Sequence, residues 1–212
     1  MKKQVVILGH DRWHYSEVLE PLMPYLQDET YEVIYSTDPE VLYQYDPAVF
    51  VNYKDPIENN QIPTPAWTDD KWVDTVTEKI KNGMGFLGMH AGLADLPADH
   101  RLVKEVHRST FITHPAQCPV TFVSDAEHPI LEGVGNFDFP TIEEFYMMQM
   151  YEEWPTTVLA HIESEHGTQP AVWIHELGAG KICCITPAHN TPSLLCEPYV
   201  RLVKNAIKWV MK

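Results

Sequence analysis

The chain has 212 residues, 44% of them hydrophobic and 21% charged, a composition typical of a globular protein long enough to bury a core. Its 30 acidic and 15 basic side chains give a formal net charge of -15 at pH 7, and such a surface repels nucleic acids and anionic lipids. No stretch approaches transmembrane length, and the first apolar run is too short for a signal peptide, so we expect neither nucleic acid nor membrane as a partner.

The four cysteines indicate a reducing compartment. Cys118, Cys183, Cys184 and Cys196 lack metal-type spacing, and the adjacent pair lies within an apolar run. Reduced, buried thiols are typical of cytoplasmic proteins, so we predict a cytoplasmic location. The sequence contains no repeat or linker that would divide it, and residues 1–212 are predicted to form a single domain.

Strand-like and helix-like segments alternate in the first part of the chain. Residues 5–8 predict the first strand, and Ser16 is a plausible N-cap for a helix that runs to about Leu26. Residues 31–35 and 49–52 predict the second and third strands. This order is typical of a parallel sheet covered by helices.

The next segments lead to the glycine-rich centre of the chain. The polar, proline-rich residues 56–68 predict a loop long enough to overhang a site. A helix follows, and its apolar residues fall on one face: Trp72, Val73, Val76 and Ile80. Residues 84–89 predict a buried central strand that ends in a tight turn at His90, with a helix soon after.

The second half of the chain is richer in strands. The predicted elements are a short helix at 102–106, an irregular entry at 111–115 to a strand at 120–123, a strand at 143–150, two antiparallel strands at 157–161 and 171–175, a strand at 182–186 and an amphipathic helix at 199–210. The whole pattern predicts an α/β fold with a flavodoxin-like, doubly wound, mostly parallel sheet and an added antiparallel portion.

His90 stands where open α/β sheets bind their ligands, just beyond the carboxyl end of a central strand. A strand-to-helix elbow usually displays a serine or cysteine nucleophile there, whereas an imidazole favours proton transfer or metal binding. The alternative is that His90 only caps the following helix.

Short motifs spread over most of the chain resemble the ThuA-like (trehalose utilisation) family, which is similar in fold to class I glutamine amidotransferases. They are His14 after the first strand, the glycine-rich residues 83–91, residues 111–115, 127–133 and 143–146, and residues 178–181 leading to His189. In this resemblance the amidotransferase nucleophile falls on His90, which excludes glutamine hydrolysis through a cysteine at that position. The family usually has Gly-His where this chain has Ala188 and His189, a change expected to tighten the backbone of that turn.

Five chemically active side chains follow different predicted strands or lie in loops, and we expect them to converge on one sheet edge: His14, His90, His114, Glu144 and His189. Imidazoles beside a carboxylate suit general acid-base catalysis near neutral pH. They equally suit a divalent metal such as zinc or manganese, which would draw its ligands from these five residues. Their scattered spacing does not decide between the two.

We predict catalytic roles for His90, Glu144 and His189. Glu144 would orient an imidazole and raise its basicity, and the alternative is a solvated acid at a strand edge. Substrate binding is predicted for five further residues: His14, His114, Tyr146, Asp95 and Trp13. The remaining histidines considered are interpreted as surface or strand-edge residues: His100, His107, His161, His166 and His175.

Three of the predicted substrate-binding residues have a plain structural alternative. Tyr146 could hydrogen-bond a sugar hydroxyl or be a core aromatic, and Trp13 could face a sugar ring or anchor a loop. Asp95 could cap the helix after His90 or orient the His90 ring, and capping is the commoner role for an aspartate at such a place.

The resemblance implies an enzyme of carbohydrate metabolism that acts on trehalose or a related disaccharide, after oxidation to a keto-sugar by a partner dehydrogenase. A carbonyl acidifies the neighbouring C–H, so an imidazole such as His90 or His189 could remove that proton while a second histidine or a metal stabilises the enolate. A non-catalytic sugar-binding or regulatory protein is the first alternative, and a metal-dependent hydrolase unrelated to sugars is the second. The expected partner is a small-molecule carbohydrate, and a homo-oligomer is compatible with the sequence.

Overall fold

A large twisted sheet forms the centre of the computed structural model, which describes residues 2–57 and 67–212. The strands in the described residues are β1 (Lys3–Leu8), β2 (Tyr31–Ser36), β3 (Val49–Asn52), β4 (Gly85–Met89), β5 (Ser109–Thr113), β6 (Thr121–Ser124), β7 (Phe137–Asp138), β8 (Met147–Met150), β9 (Thr157–Ser164), β10 (Gly167–Leu177) and β11 (Gly180–Ile185). The α-helices are α1 (Ser16–Leu19), α2 (Met23–Leu26), α3 (Val41–Gln44), α4 (Asp70–Lys81), α5 (Thr191–Leu194) and α6 (Glu197–Val210). The predicted overhanging loop at 56–68 falls mostly on residues 58–66, outside the described residues.

Nine of these strands form one sheet in the order β2-β1-β3-β4-β11-β10-β9-β6-β7. The neighbours from β2 to β11 pair in parallel, in the strand order of flavodoxin-like folds, whereas the pairs from β11 to β7 are antiparallel. Strands β5 and β8 form a separate antiparallel sheet. The predicted fold class, a mostly parallel α/β sheet with an added antiparallel portion, is therefore confirmed.

Two hydrophobic clusters cover the parallel part of the sheet. Helix α6 contributes Leu202, Val203, Ala206, Ile207 and Val210 to one cluster, and α4 contributes its predicted apolar face to the other. The four cysteines are free, and Cys118, Cys183 and Cys184 are buried whereas Cys196 is half-buried. Within the described residues we find no helix with the length and hydropathy needed to cross a bilayer.

The structure corrects several predicted elements. Prolines break the first predicted helix into α1, a 3-10 turn at Glu20–Leu22 and α2, and the N-cap of α1 is Tyr15, not Ser16. A 3-10 turn at His90–Leu93 replaces the helix expected after the central strand. The helix predicted at 102–106 is a π-helix at Leu102–His107.

Two further corrections concern the segments beside the site. The residues interpreted as an irregular entry at 111–115 belong largely to β5, and the strand predicted at 143–150 begins only at Met147. Residue Glu143 instead forms an isolated bridge with Cys118. As a consequence, His114 directly follows β5 and Glu144 to Tyr146 directly precede β8, so the small second sheet brings both segments to the site.

Candidate functional site

Three imidazoles and a carboxylate meet beyond the carboxyl ends of the parallel strands. His14 comes from the loop after β1, His90 from the end of β4, His189 from the segment after β11, and Glu144 from the approach to β8. The Nδ1 atom of His189 lies 2.9 Å from His14 Nε2, 3.2 Å from His90 Nε2 and 3.2 Å from Glu144 Oε2. Glu144 Oε2 also lies 3.5 Å from His90 Nε2. We call these four residues the imidazole cluster.

The His90 turn depends on an unusual backbone. His90 has φ 42°, in the left-handed region that non-glycine residues rarely adopt. Gly92 is required two residues later, because a Cβ there would lie 2.2 Å from the carbonyl oxygen of Asn52. The side chain of Asn52 in turn donates to the carbonyl of Gly92 at 3.2 Å. The imidazole of His90 caps no helix, so that alternative is wrong.

Backbone and carboxylate acceptors fix the tautomers of two of the rings. The Nδ1–H of His90 donates to the carbonyl oxygen of Thr186 at 2.8 Å, and that of His14 donates to Asp11 Oδ1 at 3.0 Å. Because a carbonyl or carboxylate only accepts, Nε2 of both rings carries a lone pair directed into the cluster. A hydrogen-bonded partner on the outer nitrogen is what orients metal-binding and catalytic histidines.

Burial and charge determine where protons lie in this cluster. Burial lowers the pKa of His90 to about 4, so the ring is neutral at pH 7. Burial opposes the charged form of Glu144, but the hydrogen bond from His189 and the neighbouring His90 ring outweigh it and lower the pKa of this carboxyl. For His189, burial is likewise outweighed by Glu144, which raises the pKa. The cluster therefore holds a carboxylate facing a proton on His189.

The donor set fits a divalent metal. One nitrogen from each of the three histidines lies within 4.8 Å of the other two. The distances from His189 Nδ1 to the other two nitrogens, 2.9 and 3.2 Å, approach the roughly 3.3 Å between imidazole nitrogens around a tetrahedral zinc ion. His14 Nε2, His90 Nε2 and a Glu144 carboxylate oxygen are all acceptors that face the same point. The single Nδ1 proton of His189 cannot form hydrogen bonds with all three. Imidazole ligands suit zinc better than manganese, which prefers oxygen.

A cavity of about 490 Å³ opens beside the imidazole cluster, within the range of small-molecule sites. It is lined by most of the predicted residues: Trp13, His14, Asp95, His114, Glu144, Tyr146 and His189. A larger cavity of about 970 Å³ lies at the opposite edge of the sheet among surface residues such as Lys3 and Lys79. We assign the site to the smaller one because it borders the imidazole cluster.

The predicted residues around the cavity differ in how they face it. Tyr146 is 3% exposed, its ring stacks on that of His90 at 4.4 Å, and its hydroxyl lies 3.4 Å from His90 Nε2. The Nδ1–H of His114 donates to the Pro115 carbonyl, which leaves Nε2 3.7 Å from Glu144 Oε1. His90 itself is fully buried and reaches the cavity only through its neighbours.

Several predicted roles need correction. Asp95 caps neither of the neighbouring described helices, and its carboxylate accepts from Arg12 Nη2 at 3.0 Å. His107 and His175 are not surface residues: both are buried, at 0% and 8% exposure, and the His107 ring stacks on Phe86 of β4. The pKa of each falls to about 3 because burial disfavours the charged ring.

The sequence did not reveal the residues that support the imidazole cluster. Asp11, three residues before His14, is buried and accepts from three backbone amides as well as from the His14 ring. Glu143 Oε2 accepts from the His189 amide at 2.7 Å and so holds that turn. The polar turn before His14 could have indicated the role of Asp11. Thr186 acts through its backbone carbonyl, so its residue type gives no indication of its role.

The family departure at Ala188 has a visible consequence. This residue has φ 80°, which an alanine adopts only with strain and a glycine adopts freely. The left-handed backbone at Ala188 immediately precedes His189 and orients it toward the cluster.

Comparison with known proteins assigns the family. The model of the ThuA family, described as trehalose utilisation, matches residues 4–210. The chain belongs to the ThuA family. Membership indicates a role in carbohydrate metabolism. No curated protein matches the chain.

Solved structures share the fold at low sequence identity. A ThuA-like protein from Bacteroides uniformis is 16% identical, with a TM-score of 0.76 over 99% of this chain and 91% of that one. A protein of Salmonella typhimurium LT2 described as cytoplasmic is 18% identical, with a TM-score of 0.64 and complete coverage of both chains. A β-galactosidase from Bacillus circulans is 11% identical, with a TM-score of 0.60, and matches 98% of this chain but 31% of its own. These likenesses concern the fold alone.

Proposed function

We propose that this ThuA-family protein is a cytoplasmic enzyme that acts on trehalose, or on a related disaccharide oxidised to a keto-sugar, by histidine and glutamate acid-base chemistry. The observation that carries the proposal is the meeting of His14, His90, His189 and Glu144 at the wall of a substrate-sized cavity. A sugar-binding protein without catalysis would have no need of three imidazoles directed at one point.

His14, His90 and His189 would hold a zinc ion, with Glu144 as the adjoining carboxylate. Such an ion supplies a Lewis acid that polarises a carbonyl oxygen. Asp11 and the Thr186 carbonyl keep the Nε2 lone pairs of His14 and His90 directed inward, and burial keeps His90 neutral. His90 would therefore help to hold and position the zinc ion, since its ring does not reach the cavity.

His114 is the imidazole best placed to take a proton from a substrate. It lines the cavity, and its Nδ1–H donates to the Pro115 carbonyl. Its Nε2, which carries the lone pair, lies 3.7 Å from Glu144 Oε1. In a 3-keto-disaccharide, loss of the C2 proton to Nε2 leaves an enolate whose electron pair can expel the glycosidic oxygen at C1, which takes up a proton in turn. The Glu144 carboxylate stabilises the imidazolium formed at His114.

Turnover of a 3-keto-disaccharide by purified variants tests this proposal. We expect His114→Ala to lose at least about 100-fold in turnover, the usual contribution of a positioned acid or base. His90→Ala should lose turnover as well, because it removes one of the residues that would hold the zinc ion. His161→Ala, which removes a surface imidazole paired with Asp125 and Glu163, is the matched control and should keep its rate. Unchanged turnover in His90→Ala, or a wild-type protein that binds the sugar without altering it, would contradict the proposal.

A further inference from the structure

Asp55 lines the cavity wall but takes no part in the imidazole cluster. It follows β3 and is 2% exposed. Its Oδ1 atom accepts from the Ile57 amide at 2.7 Å, and its Oδ2 atom lies 3.8 Å from Arg12 Nε. A separation of 3.8 Å is longer than a hydrogen bond, so Oδ2 accepts none from the residues that the structure describes. This oxygen is therefore available to carry a proton.

The charges around Asp55 favour the neutral form of its carboxyl. Arg12 donates from Nη2 to Asp95 Oδ2 at 3.0 Å, so one guanidinium is shared by two carboxyl groups. Asp11 Oδ2 accepts from the Asp55 amide at 2.9 Å and adds a further acidic group. Burial raises the pKa of Asp55 to about 7. The Ile57 hydrogen bond and Arg12 oppose this rise, whereas the neighbouring acidic charges add to it.

The zinc ion proposed at the imidazole cluster adds positive charge to the neighbourhood of Asp55. Two carboxylates offset it: Glu144 belongs to the cluster, and Asp11 Oδ1 accepts from a ring of the cluster at 3.0 Å. Their summed charge equals that of a divalent ion. The adjacent cation, Lys54, donates to a backbone carbonyl. Burial and the Asp95 charge therefore still favour a protonated Asp55 when zinc is bound.

The proposed cleavage needs a proton donor for its leaving group. When the enolate expels the glycosidic oxygen, the C1–O bond breaks and a sugar alkoxide departs, which is a poor leaving group unless it is protonated. His114 has by then accepted the C2 proton. Of the carboxyl groups that line the cavity, Glu144 adjoins the imidazole cluster and Asp95 is paired with Arg12, contacts that favour the charged form. Asp55 is the remaining carboxyl group among the described residues of that lining.

We propose that Asp55 is the general acid of the site and protonates the glycosidic oxygen as it leaves. This inference rests on the proposed function, because it supplies the missing proton of the same reaction. The O–H bond at Asp55 Oδ2 breaks, an O–H bond forms on the departing sugar, and Asp55 remains as a carboxylate 3.8 Å from Arg12 Nε. His114 then releases the C2 proton to water and Asp55 regains one from water, so protons balance over one turnover.

Two substrates with different leaving groups test this assignment on the full-length, zinc-loaded protein. The first, 3-keto-trehalose, expels a sugar alkoxide, whereas para-nitrophenyl 3-keto-glucoside expels a phenolate that needs no protonation. Asp55→Asn keeps the side-chain shape, and we expect it to lose at least about 100-fold in turnover of 3-keto-trehalose but far less with the nitrophenyl substrate. His114→Ala should lose both activities, because it removes the base that acts on either substrate. Asp99→Asn changes an exposed carboxylate outside the cavity lining and is the matched control, which should keep both rates.

The results separate the role of Asp55 from the proposed function. Equal losses on the two substrates in Asp55→Asn, or no loss with 3-keto-trehalose, would overturn the role of Asp55 and leave the proposed function intact. A wild-type protein that converts neither substrate would overturn both.

The pH dependence of the wild type provides a check that needs no variant. A general acid works only while it is protonated, so turnover of 3-keto-trehalose should fall as the pH rises through the pKa of Asp55. Turnover of the nitrophenyl substrate should show no such fall, and any titration at the zinc site affects both substrates alike. Identical pH profiles for the two substrates would overturn the role of Asp55.

Discussion

Replacing Asp11 by asparagine should weaken the imidazole cluster without touching any of its inward-facing atoms. The buried carboxylate accepts from the amides of Trp13, His14 and Asp55 at 2.7–2.9 Å and from the His14 ring at 3.0 Å. An asparagine offers one acceptor oxygen and an NH₂ donor, so at least one of these donors loses its partner. A buried donor without a partner costs about 1–3 kcal/mol. Loss of an outer partner of a metal-binding histidine typically costs 10–100-fold in affinity, about 1.4–2.7 kcal/mol.

Two measurements separate these effects. Urea denaturation with a chelator present gives the stability of the metal-free variant, and chelator competition gives its zinc affinity. Asp125→Asn is the matched control, because it breaks a carboxylate-imidazole contact with His161 outside the site. Zinc affinity in Asp11→Asn equal to that of the wild type would refute the argument that Asp11 fixes the His14 tautomer.

Three more predictions follow from strained or perturbed residues. His107→Leu should raise stability by about 1–2 kcal/mol at pH 7, since neither ring nitrogen has a partner among the described residues. The same substitution should reduce the loss of stability as the pH falls from 6.5 toward 3, because the unfolded chain binds a proton on His107 more readily than the folded chain does. Thermal denaturation at pH 7 and pH 5 checks the higher stability and the weaker pH dependence. Ala188→Gly should leave stability unchanged or raise it by up to about 1 kcal/mol, because relief of the left-handed strain offsets the added entropy of the unfolded chain. A loss of more than about 1 kcal/mol in urea denaturation would contradict this expectation. In the metal-free protein the raised pKa of His189 contributes stability that is present below pH 6.5 and lost as the pH rises through the folded pKa. Glu144→Gln removes the largest cause of the raised pKa and should reduce this dependence in urea titrations from pH 6.5 upward.

The central strands and the closing helix could be predicted because short-range periodicity specifies them. Strands β1, β3 and β4 are continuous apolar runs, and α6 has apolar residues at helical spacing. The placement of His90 beyond β4 followed from the rule that ligands bind at the carboxyl ends of parallel strands.

The rest of the site depended on contacts that residue type does not encode. Pairing of β5 with β8 places His114 near Tyr146, and this long-range register has no local signature. The carbonyl of Thr186 fixes the His90 tautomer through the backbone, which any residue could supply. The sequence predicts a surface position for His107 and His175 because histidine is intermediate in burial, and only the packing of the folded chain shows both rings enclosed.

Zinc titration of chelator-stripped protein, followed by elemental analysis, tests the central claim most directly. We predict one zinc ion per chain in the wild type and in His161→Ala, and loss of stoichiometric binding in His14→Ala, His90→Ala and His189→Ala. Stoichiometric zinc that survives all three substitutions, or a wild-type protein that binds none, would contradict the account.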